Sequence, residues 1–405
     1  ASNNTAIGYD SLGANTTGYS NVAVGANALD ANTTGSTNNA FGHNALGSNT
    51  TGTFNCAFGY TALATATTVS NNTAMGHNAL NANSTGSSNS AFGSTALTSN
   101  TTGSNQTAIG VGALTACTTG ASNTSVGQAS LSSLVTGSNN TAVGRAALVS
   151  CLGSDNTALG FYAGQSVTTG TDNVLIGYNA AIAITTGSDN TAIGSEALDA
   201  LTTGSYNTAV GARALGANTG SGSCAVGEDA LMTATTGTQN IAMGQSAMRL
   251  MTTGSYNIAI GANSLAADFS SSENTAVGHA ALNSNTAAAN TAVGYQALYA
   301  NTTGTPNTAV GMSALKDCTT GQHNTAVGYV AGENITTGTK NTCMGTHALD
   351  VLTTGDYNTA IGQDAMGSAA TCNHSTAVGQ NCLAANLAND NTAVGSNAAA
   401  ALTTG

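Results

Sequence analysis

One seventeen-residue unit, repeated 24 times, constrains this chain more than any other feature. The unit reads Asn-Thr-Ala-Val-Gly-x-x-Ala-Leu-x-x-Asn-Thr-Thr-Gly-x-x. Its positions are numbered 1 to 17 from the first Asn, so Asn4 is position 1 and Gly8 is position 5. Position 3 runs from Ala6, Ala23 and Ala40 to Ala377 and Ala393. Of the 23 steps between them, 19 span 17 residues and four span 16; the short ones end at Ala158, Ala225, Ala292 and Ala393. A period this regular belongs to a solenoid or repeat array. Seventeen residues are too few for a helical hairpin, and Gly and Asn disfavour helix. They suit one coil of a parallel β-solenoid, with two short strands and two tight turns. The expected fold class is therefore all-β: a parallel β-solenoid (β-roll) of 24 coils, 17 and sometimes 16 residues each.

The rows of equivalent residues carry the detail. Position 4 is apolar in all 24 units and position 5 is Gly in all 24, which calls for a positive φ or a close backbone approach. Position 1 is Asn in 21 units, so stacked coils place these side chains in a ladder about 4.8 Å apart. Position 9 is Leu or Met except at Gly164, Ala181, Gly332 and Ala399. In those four units position 12 becomes Val167, Ile184, Ile335 and Leu402, so both positions are expected to fill the same core space. Positions 3 and 8 are mostly Ala. A strand turns positions 3 and 4 to opposite faces. The reading puts the large position-4 side chain inside and the Ala rows against a partner chain. The alternative is that the Ala rows line a narrow interior.

Composition excludes several functions. Charged residues make up 5% of the chain and the net charge is -12, with five basic residues in all. That weighs against nucleic acid and anionic membranes, which both demand basic patches. No apolar run approaches the roughly 18 residues of a membrane span, so no membrane insertion is expected. The bias toward Gly, Ser and Asn suggests disorder, but 41% strictly spaced hydrophobic residues do not. All charges except Asp268 fall at positions 6, 7, 10, 11, 16 or 17, which the coil places in turns or outward. Asp268, beside Phe269, is expected in a local bulge or loop.

The run Asn307-Thr308-Ala309-Val310-Gly311, followed by Ala314-Leu315, resembles the head repeats of trimeric autotransporter adhesins and the repeats of phage tail fibres and bacterial surface fibres. The resemblance covers the whole chain. It departs in period, because the adhesin unit is shorter by the Asn-Thr-Thr-Gly loop. It implies a left-handed roll, a trimer of parallel chains, and a place outside the cell, on a cell surface or virion fibre.

Candidates for chemistry are few. The eight cysteines (Cys56, Cys117, Cys151, Cys224, Cys318, Cys343, Cys372 and Cys382) form no C-x-x-C pair and read as buried small hydrophobes. Cys343 lies near His347 and Cys372 near His374, but neither pair recurs in the next coil, so no four-ligand metal set assembles. Asp155, Asp172 and Asp189 precede position 1 in three successive coils; they either bridge a cation such as calcium or spread into solvent. Tyr9, Tyr60, Tyr178, Tyr295 and Tyr329 share position 6, and Tyr206, Tyr256 and Tyr357 share position 17. They either stack on sugars or pack on the next coil. The Asn-Thr-Thr runs at Asn15, Asn32, Asn49, Asn100 and Asn301 match a glycosylation sequon. No catalytic, cofactor-binding or metal residue is assigned, and no enzyme activity is expected.

The array reads as a single uninterrupted solenoid over 1–405. Ala1 and Gly405 share one phase of the repeat, with no caps, so a longer array or end-to-end stacking is expected, at about 115 Å for 24 coils of 4.8 Å. The function expected is the structural shaft of an extracellular fibre or filament, its partners being copies of itself. The alternative is a binding module whose outward Thr, Asn or Tyr rows take surface glycans or ice. Against ice stand the loss of Thr-Thr-Gly at Val69 and Cys372 and near Ser271 and Ala288, and the four one-residue deletions.

Overall fold

A computed structural model describes residues 2–385 and 388–402; Ala1 and Gly405, on which the expectation about the ends turns, lie outside them. The described residues form an all-β parallel solenoid, one three-residue strand per coil, with no helix among them. The chain divides into two compact units, Ala1–Tyr206 and Asn207–Gly405. The first holds β1 (Thr5–Ile7) to β12 (Thr191–Ile193), the second β13 (Thr208–Val210) to β24 (Thr392–Val394). Within each unit every strand pairs in parallel with the strand one coil later, position for position: Ala6 faces Ala23, and Ala309 faces Ala326.

The shortened coils keep this register. Ala142 still faces Ala158, and Ala276 faces Ala292. The residue is lost from the Thr-Thr-Gly corner instead, where the Leu152 and Gly153 amides both donate to Thr168 O, at 2.8 and 3.0 Å.

The strand faces are the reverse of the first expectation. Position 3 points inward: Ala23, Ala40 and Ala57 are fully buried, as are Ala28, Ala45 and Ala62 at position 8. Both Ala rows therefore line the coil interior and are not a partner interface. Position 4 points outward, and Met75, Phe92, Ile109, Met243 and Ile260 are 37% to 42% exposed. The reason is space. The position-9 side chain crosses the interior and leaves room for a methyl group opposite. Where position 3 grows to Leu175, position 9 of the preceding coil is Gly164, and a Cβ there would lie 2.5 Å from Leu175 Cδ1. Where position 3 is Cys343, the preceding coil has Gly332, whose Cβ would lie 2.9 Å from Cys343 Sγ. The same glycines face Val167 and Ile335, both fully buried, so positions 9 and 12 do share the core.

The second strand expected in each coil is absent among the described residues. Positions 7, 9 and 17 adopt left-handed backbone instead: Asn27 has φ 58°, Leu29 φ 52° and Ser20 φ 55°. Such a conformation costs roughly 1–2 kcal/mol per non-Gly residue. Bonds between coils offset it, with Leu29 N to Ala45 O at 3.1 Å, Ala31 N to Gly47 O at 3.2 Å and Thr33 N to Thr50 O at 2.9 Å. It also explains the Leu at position 9. A β-branched residue resists positive φ, and none of the 24 position-9 residues is Val, Ile or Thr. The position-5 glycines meet both demands read from the sequence. Gly8 has φ +134°, and a Cβ on it would lie 2.5 Å from Gly25 O in the next coil.

Two buried Asn ladders complete the interior. At position 1, Asn4 Oδ1 accepts from Asn21 N at 2.8 Å, and Asn21 Oδ1 accepts from Asn38 N at 2.9 Å. Asn21 Nδ2 donates to Gly35 O at 2.9 Å, closing the Thr-Thr-Gly corner. At position 12, Asn32 Nδ2 donates to Asn15 Oδ1 at 3.0 Å and Asn49 Nδ2 to Asn32 Oδ1 at 2.9 Å. This second ladder runs only while Asn persists. It stops where Ala66, Cys117 and Cys318 replace it, leaving Asn49, Asn100 and Asn301 with an unpaired buried Oδ1. Asp268 is a member of this row, not a bulge. It is fully buried in a coil of ordinary length and accepts from Ser270 N and Ser271 N at 3.1 and 3.0 Å, and from the Ser271 hydroxyl.

Candidate interaction surfaces

Because the interior takes Ala, Leu and Asn, the surface is left with rows of its own. Alternation along each strand puts positions 2 and 4 on one outward face. Position 4 gives that face an aliphatic and aromatic row. In the first unit the row is uneven, with Phe41 and Phe58 stacked at 4.3 Å between ring centres. Position 2 there varies from Thr5 through Val22 and Asn39 to Cys56. In the second unit position 2 is Thr in each of the last eight coils, Thr275 to Thr392.

The Thr pairs of positions 13 and 14 behave differently. Position 13 turns its hydroxyl back onto the next coil: Thr33 Oγ1 donates to Thr50 O at 3.1 Å, and Thr302 Oγ1 to Thr319 O at 2.9 Å. Those hydroxyls stitch coils together. Position 14 points to solvent, as at Thr34, Thr51 and Thr303.

The titratable candidates are dispersed by the coil geometry. Asp155, Asp172 and Asp189 are exposed in left-handed turns, with φ 61°, 58° and 57°, and Asp155 accepts from Asn139 Nδ2 at 3.0 Å. Among the described residues no group of three or more His, Cys, Asp or Glu side chains is placed to hold a metal ion. Cys343 lies fully inside, whereas His347 turns outward to Asp350 Oδ2 at 3.0 Å, so this pair is not brought together.

Six of the eight cysteines are buried, and all eight are thiols outside any disulfide. Burial pushes the thiols of Cys151 and Cys318 up to about 11 and that of Cys343 up to about 12. Cys56 and Cys224 depart from the expectation. They occupy position 2 and are half-buried on the outward face.

Aromatic side chains at position 6 pack along the solenoid. Tyr60 stacks between His43 and His77 at 5.2 and 5.5 Å, and His279 stacks on Tyr295 at 5.5 Å. At position 17 Tyr357 stacks on His374 at 5.0 Å, while Lys340 Nζ reaches the Tyr357 hydroxyl at 2.7 Å. Of the sequon asparagines, Asn32, Asn49, Asn100 and Asn301 are fully buried with Nδ2 donating inside the ladder. The folded coil thus withholds them from modification. Asn15 is half-buried.

The outward face of positions 2 and 4 follows from the alternative in which the Ala rows line the interior; the first reading of the sequence missed it. Its signal was present as the exchange of Leu175 with Gly164 and Cys343 with Gly332. Each exchange places position 3 opposite position 9 and therefore position 4 outside. No protein-family model matches the sequence, and no curated protein shows significant similarity to it.

Proposed function

We propose that the chain is the structural shaft of an extracellular fibre or filament, adhesin-like or tail-fibre-like, and that it performs no catalysis. The observation that carries this reading is the ladder system. In each unit every coil is tied to the next by a strand pair, and most coils also by a buried position-1 Asn and a closed Gly corner. Such a body resists shear between coils, because many parallel bonds share the load. The resemblance to surface-fibre repeats supports the location on a cell surface or virion, and a trimer of parallel chains. Since the Ala rows are interior, the surface offered to sister chains is the outward apolar row of the first unit, most bulky at Phe41, Phe58 and Phe92. The test is the mass and shape of the purified chain by light scattering and negative-stain microscopy. Elongated trimers or filaments are expected. A monodisperse single chain of 39.2 kDa refutes self-association.

A further inference from the structure

We propose that the outward face of the last eight coils, from Thr275 to Val394, is a docking surface for ice. This inference goes beyond the shaft reading and does not rest on it.

The face is a two-row lattice. Position 2 is Thr in all eight coils, and position 4 is Val, Ile or Met. Parallel pairing in register sets neighbouring coils about 4.8 Å apart, and two residues of strand separate the rows by about 6.7 Å. Oxygen rows in hexagonal ice repeat at spacings of the same order in both directions.

The lattice is unbroken. The two shortened coils in this stretch keep Thr275 opposite Thr291 and Thr376 opposite Thr392, because the deletions fall in the corner. The objection that deletions interrupt a Thr row therefore holds for position 14 and not here.

The chemistry also fits an uncharged, periodic, hydrogen-bonding partner. The chain is strongly acidic, yet neither row carries a charge. A charged group would hold its own hydration shell and disorder the water beside it. The hydroxyls of this row, such as Thr308 and Thr325, make no bond within the protein, unlike those at position 13. They can anchor ordered water, while the Thr methyl groups and the position-4 side chains organise water between them. Nothing comparable exists in the first four coils of the same unit, where position 2 reads Thr208, Cys224, Ile241 and Ile258.

The experiment uses the full chain and two variants. Thr325→Tyr plants a ring in the middle of the lattice. Thr303→Tyr plants the same ring at an exposed position 14 off the face. Thermal hysteresis and ice-crystal habit are read together with circular dichroism melting and light scattering. The expected result is ice shaping by the native chain, a several-fold loss of hysteresis in Thr325→Tyr, and retention in Thr303→Tyr, all three melting alike. A folded native chain that leaves ice growth unchanged overturns the proposal, as does an equal response of the two variants. If that inactive chain is a side-by-side oligomer, a second copy occupies the face and the shaft reading stands. If it is a lone chain, self-association falls as well.

Discussion

Position 12 and position 15 compete for one space, and the competition predicts a coupling. In most coils position 15 is Gly. A Cβ on Gly52 would lie 2.4 Å from Asn49 Oδ1, far inside contact distance. Val69 does occupy position 15, nearly buried, and in its coil position 12 has shrunk to Ala66. Cys372 and Ala369 repeat the exchange. Ala66→Asn alone therefore drives an amide into Val69, and such overpacking costs about 1–3 kcal/mol. Val69→Gly alone strips a buried side chain at about 1.5–3 kcal/mol. Together the two changes rebuild the Asn49–Gly52 arrangement. The new amide meets Asn49 Oδ1, which has no partner, and its own oxygen faces Asn83 Nδ2 in the next coil. Relief of one orphaned acceptor is worth about 1–3 kcal/mol. The double variant should thus exceed the sum of the singles by about 2–3 kcal/mol. Hydrogen exchange of the full chain, read on peptides spanning residues 49–86, reports the local opening free energy. Free energies that add to within about 0.5 kcal/mol refute the reasoning.

Other outcomes follow from the same geometry. Leu97→Ile, which keeps volume but puts a β-branch at φ 51°, should lose about 2 kcal/mol in local opening, whereas Leu97→Met loses less than about 1. Asn173→Ala removes donations to Asn156 Oδ1 and Gly187 O and an acceptor for Asn190 N, and should loosen its coil by about 2–3 kcal/mol in exchange. Burial holds the Asp268 carboxyl above the usual range against the opposing pull of its bonds from Ser271, Ser270, Asn285 and Phe269. The folded chain then binds the proton more tightly than the unfolded one, so this group's contribution falls as pH rises from the ordinary carboxylate value through the raised one. Asp268→Asn should abolish that slope in the exchange of residues 257–290 and add protection at neutral pH. Maleimide at mildly alkaline pH should label Cys56 and Cys224 in the folded chain and spare Cys151, Cys318 and Cys343 until it unfolds.

The sequence by itself determined the coil. The period, the universal Gly at position 5, the position-1 Asn row and the trade between Gly164 and Val167 all record contacts repeated at every turn, and repetition makes such contacts readable without coordinates. Charge placement was readable for the same reason, with Asp268 as the one exception. What only the tertiary structure decided was direction. Alternation along Thr-Ala-Val puts Ala and Val on opposite faces, but hydrophobicity cannot choose between them, because both are apolar. The choice was made across the coil, where left-handed Leu29 and its equivalents fill the interior and leave room only for Ala23 and its row. Dihedral angles leave no trace in an apolar pattern, and the space one side chain leaves for another exists only after the chain has closed on itself.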